Sequence, residues 1–191
     1  METKLAPSIA GLPLAQGRWT IDAVHSAVVF SVRHLGLSKV RGRFDQFDAT
    51  LEIGPSLEET SVTATVDMAS VDTNNADRDA HLRSTDFFNI EHHPEMCFES
   101  TGITRIGEEW RLSGNLTLNG VTRPIVFAVE FNGTEVFPTT SRQHAGFSAT
   151  GELRRSDFGI EFGIMPIGVD KLALSDTVKF ELDLQFVEPE E

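Results

Sequence analysis

The sequence predicts an all-β fold of about eight antiparallel strands with one short helix. Three observations predict it. Apolar residues recur with period two along most of the chain, the spacing of a strand with one face buried. Asn119-Gly120 and Asn132-Gly133 punctuate alternating runs, as hairpin turns do where the backbone must turn left-handed. Only one stretch, Asn75 to Ser84, reads as a helix. No repeat or Pro/Ser/Gly-rich linker divides the 191 residues, so a single cooperative domain is expected.

Residues 1–18 read as an N-terminal arm, flexible or lying on the surface, before a domain covering 19–188. Lys4 is the one basic residue before Arg18, and Pro7 and Pro13 cut a weakly apolar run. A secretory signal needs a stronger apolar block, so a cytoplasmic location is expected. The first strand alternates Val28, Phe30 and Val32 against Ala27, Ser31 and Arg33. A second, from Val40 to Ile53, slips register between Phe44 and Phe47, as a bulge would cause. Val62, Ala64, Val66 and Met68 mark the third.

The helix follows, with Thr73 or Asn74 as N-cap and Asp77 near its positive end. Its apolar face of Ala76, Ala80 and Leu82 is thin, which places it at a rim. Strands then run through Met96 to Ile103, Trp110 to Leu118, Ile125 to Phe131, with Asn132-Gly133 ending that run, Phe147 to Leu153, and Val178 to Phe186. Between the last two lies FGIEFGIMPIG, Phe158 to Gly168. It is too short and too broken by glycine and proline to span a bilayer, so no stable membrane insertion is expected. The closing EPEE is a solvated acidic tail. Strands of this kind close into a barrel or pack as a two-sheet sandwich.

With 29 acidic and 16 basic residues the net charge is -13, which repels phosphate backbones and argues against nucleic acid as a partner. A lone Cys97 cannot form an internal disulfide. Its parity is opposite to Met96 and Phe98, which turns it outward or under the helix. The chain has 14 Phe and no Tyr, leaving the interior few hydroxyls for a polar substrate.

Some polar residues invite a chemical reading. His25 beside Ser26 suggests a hydrolase, but neighbours on a strand point to opposite faces. GFSAT, Gly146 to Thr150, lacks the last glycine of a nucleophile elbow. His81, His92 and His93 show no helical i, i+4 pair, so no metal site is expected. Arg78, Asp79, His81 and Arg83 with Arg155 and Asp157 form the best polar cluster, read as a mouth that holds a head group or as an ion-pair network pinning helix to barrel. No residue is assigned as catalytic.

Several separated motifs resemble one family: IDAVHS from Ile21 to Ser26, His34 with SKVRGRF from Ser38 to Phe44, and TNNADRDAHLRSTDFF from Thr73 to Phe88. HPEMCFES from His93 to Ser100, GNLTLNGVTRP from Gly114 to Pro124 and RSDFG from Arg155 to Gly159 complete the set. In these it is similar to the YceI-like, polyisoprenoid-binding proteins from Trp19 to about Glu188. Trp19 stands where that family usually has Tyr and Asn119 where it often has His. The resemblance implies an extended, lipocalin-like antiparallel barrel whose channel holds an isoprenoid chain such as that of a quinone or polyprenyl lipid, with no cofactor beyond such a lipid and no firmly attached catalysis.

Inward parity then nominates the ligand-binding wall: Val28, Phe30, Val32 and Phe44; Val66, Met68 and Phe98; Leu112, Leu116 and Leu118; Phe127, Val129 and Phe147; Phe180 and Leu182. The small inward residues Ala64, Gly114, Ala149 and Gly151 are expected to leave volume. The loop is expected to cap the channel as a gate, through Phe158, Phe162, Ile164 and Met165. The expectation is a carrier, store or sensor, with a homodimer allowed. An enzyme acting on the head group through His25, His81 or the arginines, and a ligand-free interaction module, are the alternatives.

Overall fold

The computed structural model describes residues 11–167 and 172–189; Gly168, the last residue of the apolar loop, lies outside them. Among the described residues eleven strands form one antiparallel sheet. Several are halves of a longer strand. β1 (Gly17–Ile21) and β2 (Ala27–His34) are separated by a 3-10 turn at Ala23–His25. Asp22 caps that turn by accepting from the N–H groups of Val24 and His25. β3 (Ser38–Phe44) and β4 (Phe47–Ile53) break at the register slip that the pattern of phenylalanines anticipates. β5 (Ser61–Asp67) and β6 (Val71–Asp72) make a third such pair.

β7 (Glu95–Ile106), β8 (Glu109–Leu118), β9 (Val121–Val136), β10 (Gln143–Arg154) and β11 (Leu174–Val187) follow as single strands. Each long strand pairs with the next. β11 then meets β1 through Ile21↔Phe186 and β2 through Val28↔Leu182. The sheet therefore closes into an antiparallel barrel of eight long strands, which decides against a sandwich.

The Asn119-Gly120 turn is as expected, both residues with positive φ of 51° and 73°. Asn132-Gly133 does not end its strand. β9 runs on to Val136, and the register jumps from Gly146↔Gly133 to Phe147↔Phe131, leaving Asn132 as a bulge. A second bulge at Thr101 separates Ser100↔Gly114 from Gly102↔Ser113. It shifts inward parity, so Met96 and Phe98 face the interior before it and Ile103 after it.

The helix α1 (Ala76–Arg83) is capped by Asn75 rather than Thr73 or Asn74: the Asn75 side-chain carbonyl oxygen accepts from Arg78 N–H at 2.9 Å. Its buried residue is Asp79, while Ala76 and Ala80 are exposed. The Asp79 carboxylate accepts from both the N–H and the hydroxyl of Thr73, so a polar clasp seats the helix together with Leu82, the residue of the expected apolar face that packs on the core. Arg83 adds bonds to the carbonyls of Ala69 and Val71.

The described end of the arm, residues 11–18, lies against the barrel and is more buried than a loosely held arm would be. Leu14 is 2% exposed and packs with Trp19, Leu51, Ile53 and Phe186, so the described end of residues 1–18 covers one end of the barrel. The α1 end is filled by a larger cluster including Phe30, Phe44, Met68, Val71, Phe87, Phe158 and Ile160.

Candidate functional site

The strands enclose a cavity of about 180 Å³. Its wall is almost wholly carbon. β4 contributes Phe47, Ala49, Leu51 and Ile53, β5 Val62, Ala64 and Val66, and β11 Phe180, Leu182, Leu184 and Phe186. The run from Phe47 to Ile53 alone covers roughly 20 Å at ~3.3 Å per residue, so the volume is drawn out along the barrel axis. One end lies under Leu12, Leu14 and Leu57. The other stops at Val28, Phe98, Phe127 and Phe180, where the Phe98 and Phe127 rings meet edge to face at 5.6 Å.

Polar groups in this wall are few. Thr60 is buried, but its hydroxyl already donates to Ser56 O at 2.8 Å and accepts from Gly54 N–H at 3.2 Å. Asp48 and Arg111 stand between inward positions and are exposed. At the Leu12 end the Arg105 guanidinium lies 5.0 Å from the Trp110 ring centroid. The wall is built to exclude water and to offer hydrocarbon contact.

Of the residues nominated from sequence, Val28, Val66, Phe98, Leu112, Leu116, Phe127, Val129, Phe147, Phe180 and Leu182 line the cavity. Phe30, Phe44, Met68, Leu118 and Phe158 are buried beyond its floor, in the cluster at the α1 end. Val32 is half-buried near the end of β2. In the loop, Phe162 and Met165 are exposed and Ile164 half-buried. Parity also marks Phe47, Ala49, Leu51, Ile53, Ala64, Leu184 and Phe186 as inward. The N-terminal leucines carry no strand pattern, and Ile103 is hidden by the bulge.

Two of the four small residues do not leave space of their own. A Cβ at Gly114 would come within 2.4 Å of the Phe98 ring, and one at Gly151 within 2.7 Å of the Phe127 ring. Those rings lie over the glycines. Ala64 and Ala149 do line the cavity, and Ala64 sits opposite Ala49 across the β4–β5 ladder.

The polar cluster does not assemble into one site. Arg155 is 4% exposed and donates to four backbone carbonyls, those of Ser175, Ile160, Phe162 and Leu174. It pins the apolar loop to the barrel, and burial pulls its pKa below the usual arginine value. Asp157 is exposed. Arg78 bonds Thr73 through its hydroxyl and carbonyl, both at 2.8 Å. His81 bonds Asp86 at 2.8 Å and meets the Phe162 ring edge-on at 4.7 Å. None of these side chains lines the cavity, and neither does Asp79 in its clasp with Thr73.

His25 is on the outer wall, with Nδ1 2.8 Å from Asp22 Oδ2 and its side chain 63% exposed. Ser26 points elsewhere, its hydroxyl accepting from Gln185 N–H at 2.9 Å. Among the described residues no three His, Cys, Asp or Glu side chains are placed to hold a metal ion, and no helix is long and apolar enough to cross a membrane. Cys97 stands half-buried between Glu95 and Glu99; burial and those two carboxylates raise its thiol pKa.

Fold and cavity together define a closed antiparallel β-barrel with an elongated apolar interior. The chain belongs to the YceI-like family, whose domain model matches residues 19–186. A UPF0312 protein of Staphylococcus epidermidis is 39% identical over 171 residues, covering 88% of this chain and 96% of that protein. The crystal structure of a Campylobacter jejuni YCEI protein is similar with a TM-score of 0.70 and 31% identity, over 83% of this chain and 90% of that one. A polyisoprenoid binding domain from Saccharophagus degradans shares the fold, with a TM-score of 0.67 and 17% identity over 90% of this chain and 98% of that one.

Proposed function

We propose that this protein binds the hydrocarbon chain of an isoprenoid-type lipid, such as a quinone or polyprenyl lipid, inside the barrel, for transport, storage or sensing. The observation that carries the reading is the shape and chemistry of the cavity: narrow, drawn out, carbon-lined and, among the described residues, without an unused buried polar side chain. A group that must hydrogen-bond would lose water there and gain nothing. A chain of methylenes and methyls gains about 0.8 kcal/mol per CH₂ buried. Three or four isoprene units, each worth roughly 3–4 kcal/mol before ordering costs, supply the ~8 kcal/mol of micromolar binding.

The wall also favours branching. Ala49, Ala64 and Ala149 are recesses among larger side chains, and a methyl branch fills such a recess where a straight chain leaves it void. The Saccharophagus degradans relative, named for polyisoprenoid binding, supports the same ligand class. A head group then remains at the Leu12 end, outside the carbon wall. The alternative of chemistry inside the cavity gets no support from its wall, which His25 and His81 do not line.

The test uses protein taken from cells and retinol as a fluorescent isoprenoid. Organic extracts of the purified protein are expected to contain an isoprenoid lipid at near-stoichiometric amounts. Retinol is expected to show saturable energy transfer from Trp110, which lines the cavity. Clean extracts together with non-saturable retinol binding overturn the reading.

A further inference from the structure

We infer that the segment from Leu12 to Gln16 is a tethered plug, standing in the mouth of the cavity where ligand would lie and displaced when a long chain enters. The inference rests on the isoprenoid reading above and adds the route of entry and its control. Leu12 and Leu14 both line the cavity, and Leu14 is 2% exposed. Their isobutyl groups have the same branched hydrocarbon shape as an isoprene unit, so they satisfy the wall as ligand would.

The plug is held more lightly than the strands around it. Leu12 forms a one-residue bridge, and Pro13 to Gln16 lie outside any strand. Beyond that bridge, Leu14 N–H donates to Leu12 O, within the segment itself, and Trp19 Nε1–H donates to Ala15 O at 2.9 Å. The wall residues on strands sit in the ladders of the closed sheet. Gly17 joins the plug to β1 with a φ of 125°, a conformation open to glycine and strained for other residues. Gly17 is itself fixed in the ladder opposite Ile53, so the plug leaves the sheet at a defined point and can move without disturbing β1.

The opposite end offers no comparable route. There Phe30, Phe44, Met68 and Phe158 pack below the floor, and the loop above them is pinned by Arg155 through four carbonyls. Opening that end breaks a cation's hydrogen bonds and a packed aromatic core. Among the described residues, opening the N-terminal end releases the Leu12 bridge and the Trp19 indole bond, and exchanges leucine contacts for ligand contacts. The volume agrees: about 180 Å³ is only a little above the ~150 Å³ that admits benzene, so a long chain needs the space that the leucines occupy.

The test places a thiol on the plug: Leu14→Cys in a Cys97→Ser background, with retinol binding followed by tryptophan energy transfer in the same sample. The plug predicts a slow reaction of the introduced thiol with a maleimide reagent and at least a tenfold acceleration at saturating retinol. Retinol bound with that thiol still protected overturns the plug and leaves the lipid reading standing. No retinol binding overturns the plug, and together with clean organic extracts it overturns the lipid reading as well. Deletion of residues 1–15 serves as the second variant, with at least tenfold faster retinol association expected and an unchanged rate counting against the plug.

Discussion

The two ends of the barrel are made of the same alternating strands, yet one is solid and the other hollow. At the α1 end, phenyl rings meet each other: Phe30 and Phe44 centroids are 5.3 Å apart, and Phe44 and Phe88 6.1 Å. Phe30 also lies against Gly42, where a Cβ would come within 2.4 Å of its ring. At the N-terminal end the inward positions of β4 and β5 set Ala49 opposite Ala64. Phe98 is the neighbour of Ala64 on β7, but its ring leans onto Gly114. Glycine thus makes space indirectly. It draws a ring aside from the alanines; rings pair at this end as well, Phe147 with Phe131 at 5.4 Å and with Phe186 at 6.1 Å, but around the alanines they leave the recess open.

The largest expected contrast follows from deleting a ring at the solid end. Phe158, 2% exposed, packs with Ile160 and the cluster beneath α1. Phe158→Ala is expected to cost about 3–5 kcal/mol, the range for emptying a packed aromatic site. Chemical denaturation measures it. Phe147→Ala, on the cavity wall and only half-buried, is expected to cost less than half as much, because its loss enlarges a space that already exists. Equal costs would erase the distinction between the ends.

A second variant adds bulk to the hollow end. Overpacking an ordinary core costs typically ~1–3 kcal/mol, but Ala64 faces a recess. Ala64→Leu is therefore expected to leave stability within about 1 kcal/mol of the parent. The same change is expected to weaken retinol binding at least tenfold. Destabilisation beyond that bound would mean that the recess is already filled.

The strands, the helix and the slip between Phe44 and Phe47 were legible because period-two burial is written directly into residue types. The nominated residues that line the cavity follow from the same parity. What the parity could not give was depth. Phe30 and Phe180 read alike and even pair across the β2–β11 ladder, yet the Phe30 ring turns onto Gly42 while Phe180 lines the cavity, since depth depends on which neighbour each ring leans against. Asn132-Gly133 reads as a strand end because a bulge and a turn ask for the same backbone freedom. Leu12 and Leu14 escape a reading by parity because their burial comes from a segment folded over an end, with no periodicity of its own. Arg155 reads either as part of a head-group mouth or as part of an ion-pair network pinning the fold; its actual partners are four carbonyls from residues 160 to 175, a closure that no local pattern shows.

The smallest expected effect sharpens the solid end further. Asp176 ties the 3-10 turn at Arg155–Phe158 to β11, its carboxylate accepting from Ser156 N–H at 2.9 Å, from the Ser156 hydroxyl at 2.8 Å and from Arg154 Nε at 2.9 Å. Burial works to raise its pKa, but the Ser156 bonds and the Arg154 guanidinium outweigh burial and hold it below the ordinary 3.8. A carboxylate with a depressed folded pKa contributes stability above its unfolded value, and the contribution disappears as pH falls through the folded one. Asp176→Asn is accordingly expected to lower Tm at neutral pH by roughly 2–4 °C, the shift for ~1 kcal/mol in a chain of this size. The gap between parent and variant should narrow as the pH drops below about 4 and close in stronger acid. A gap independent of pH would assign the loss to packing, and the carboxylate would then have no part in holding the solid end shut.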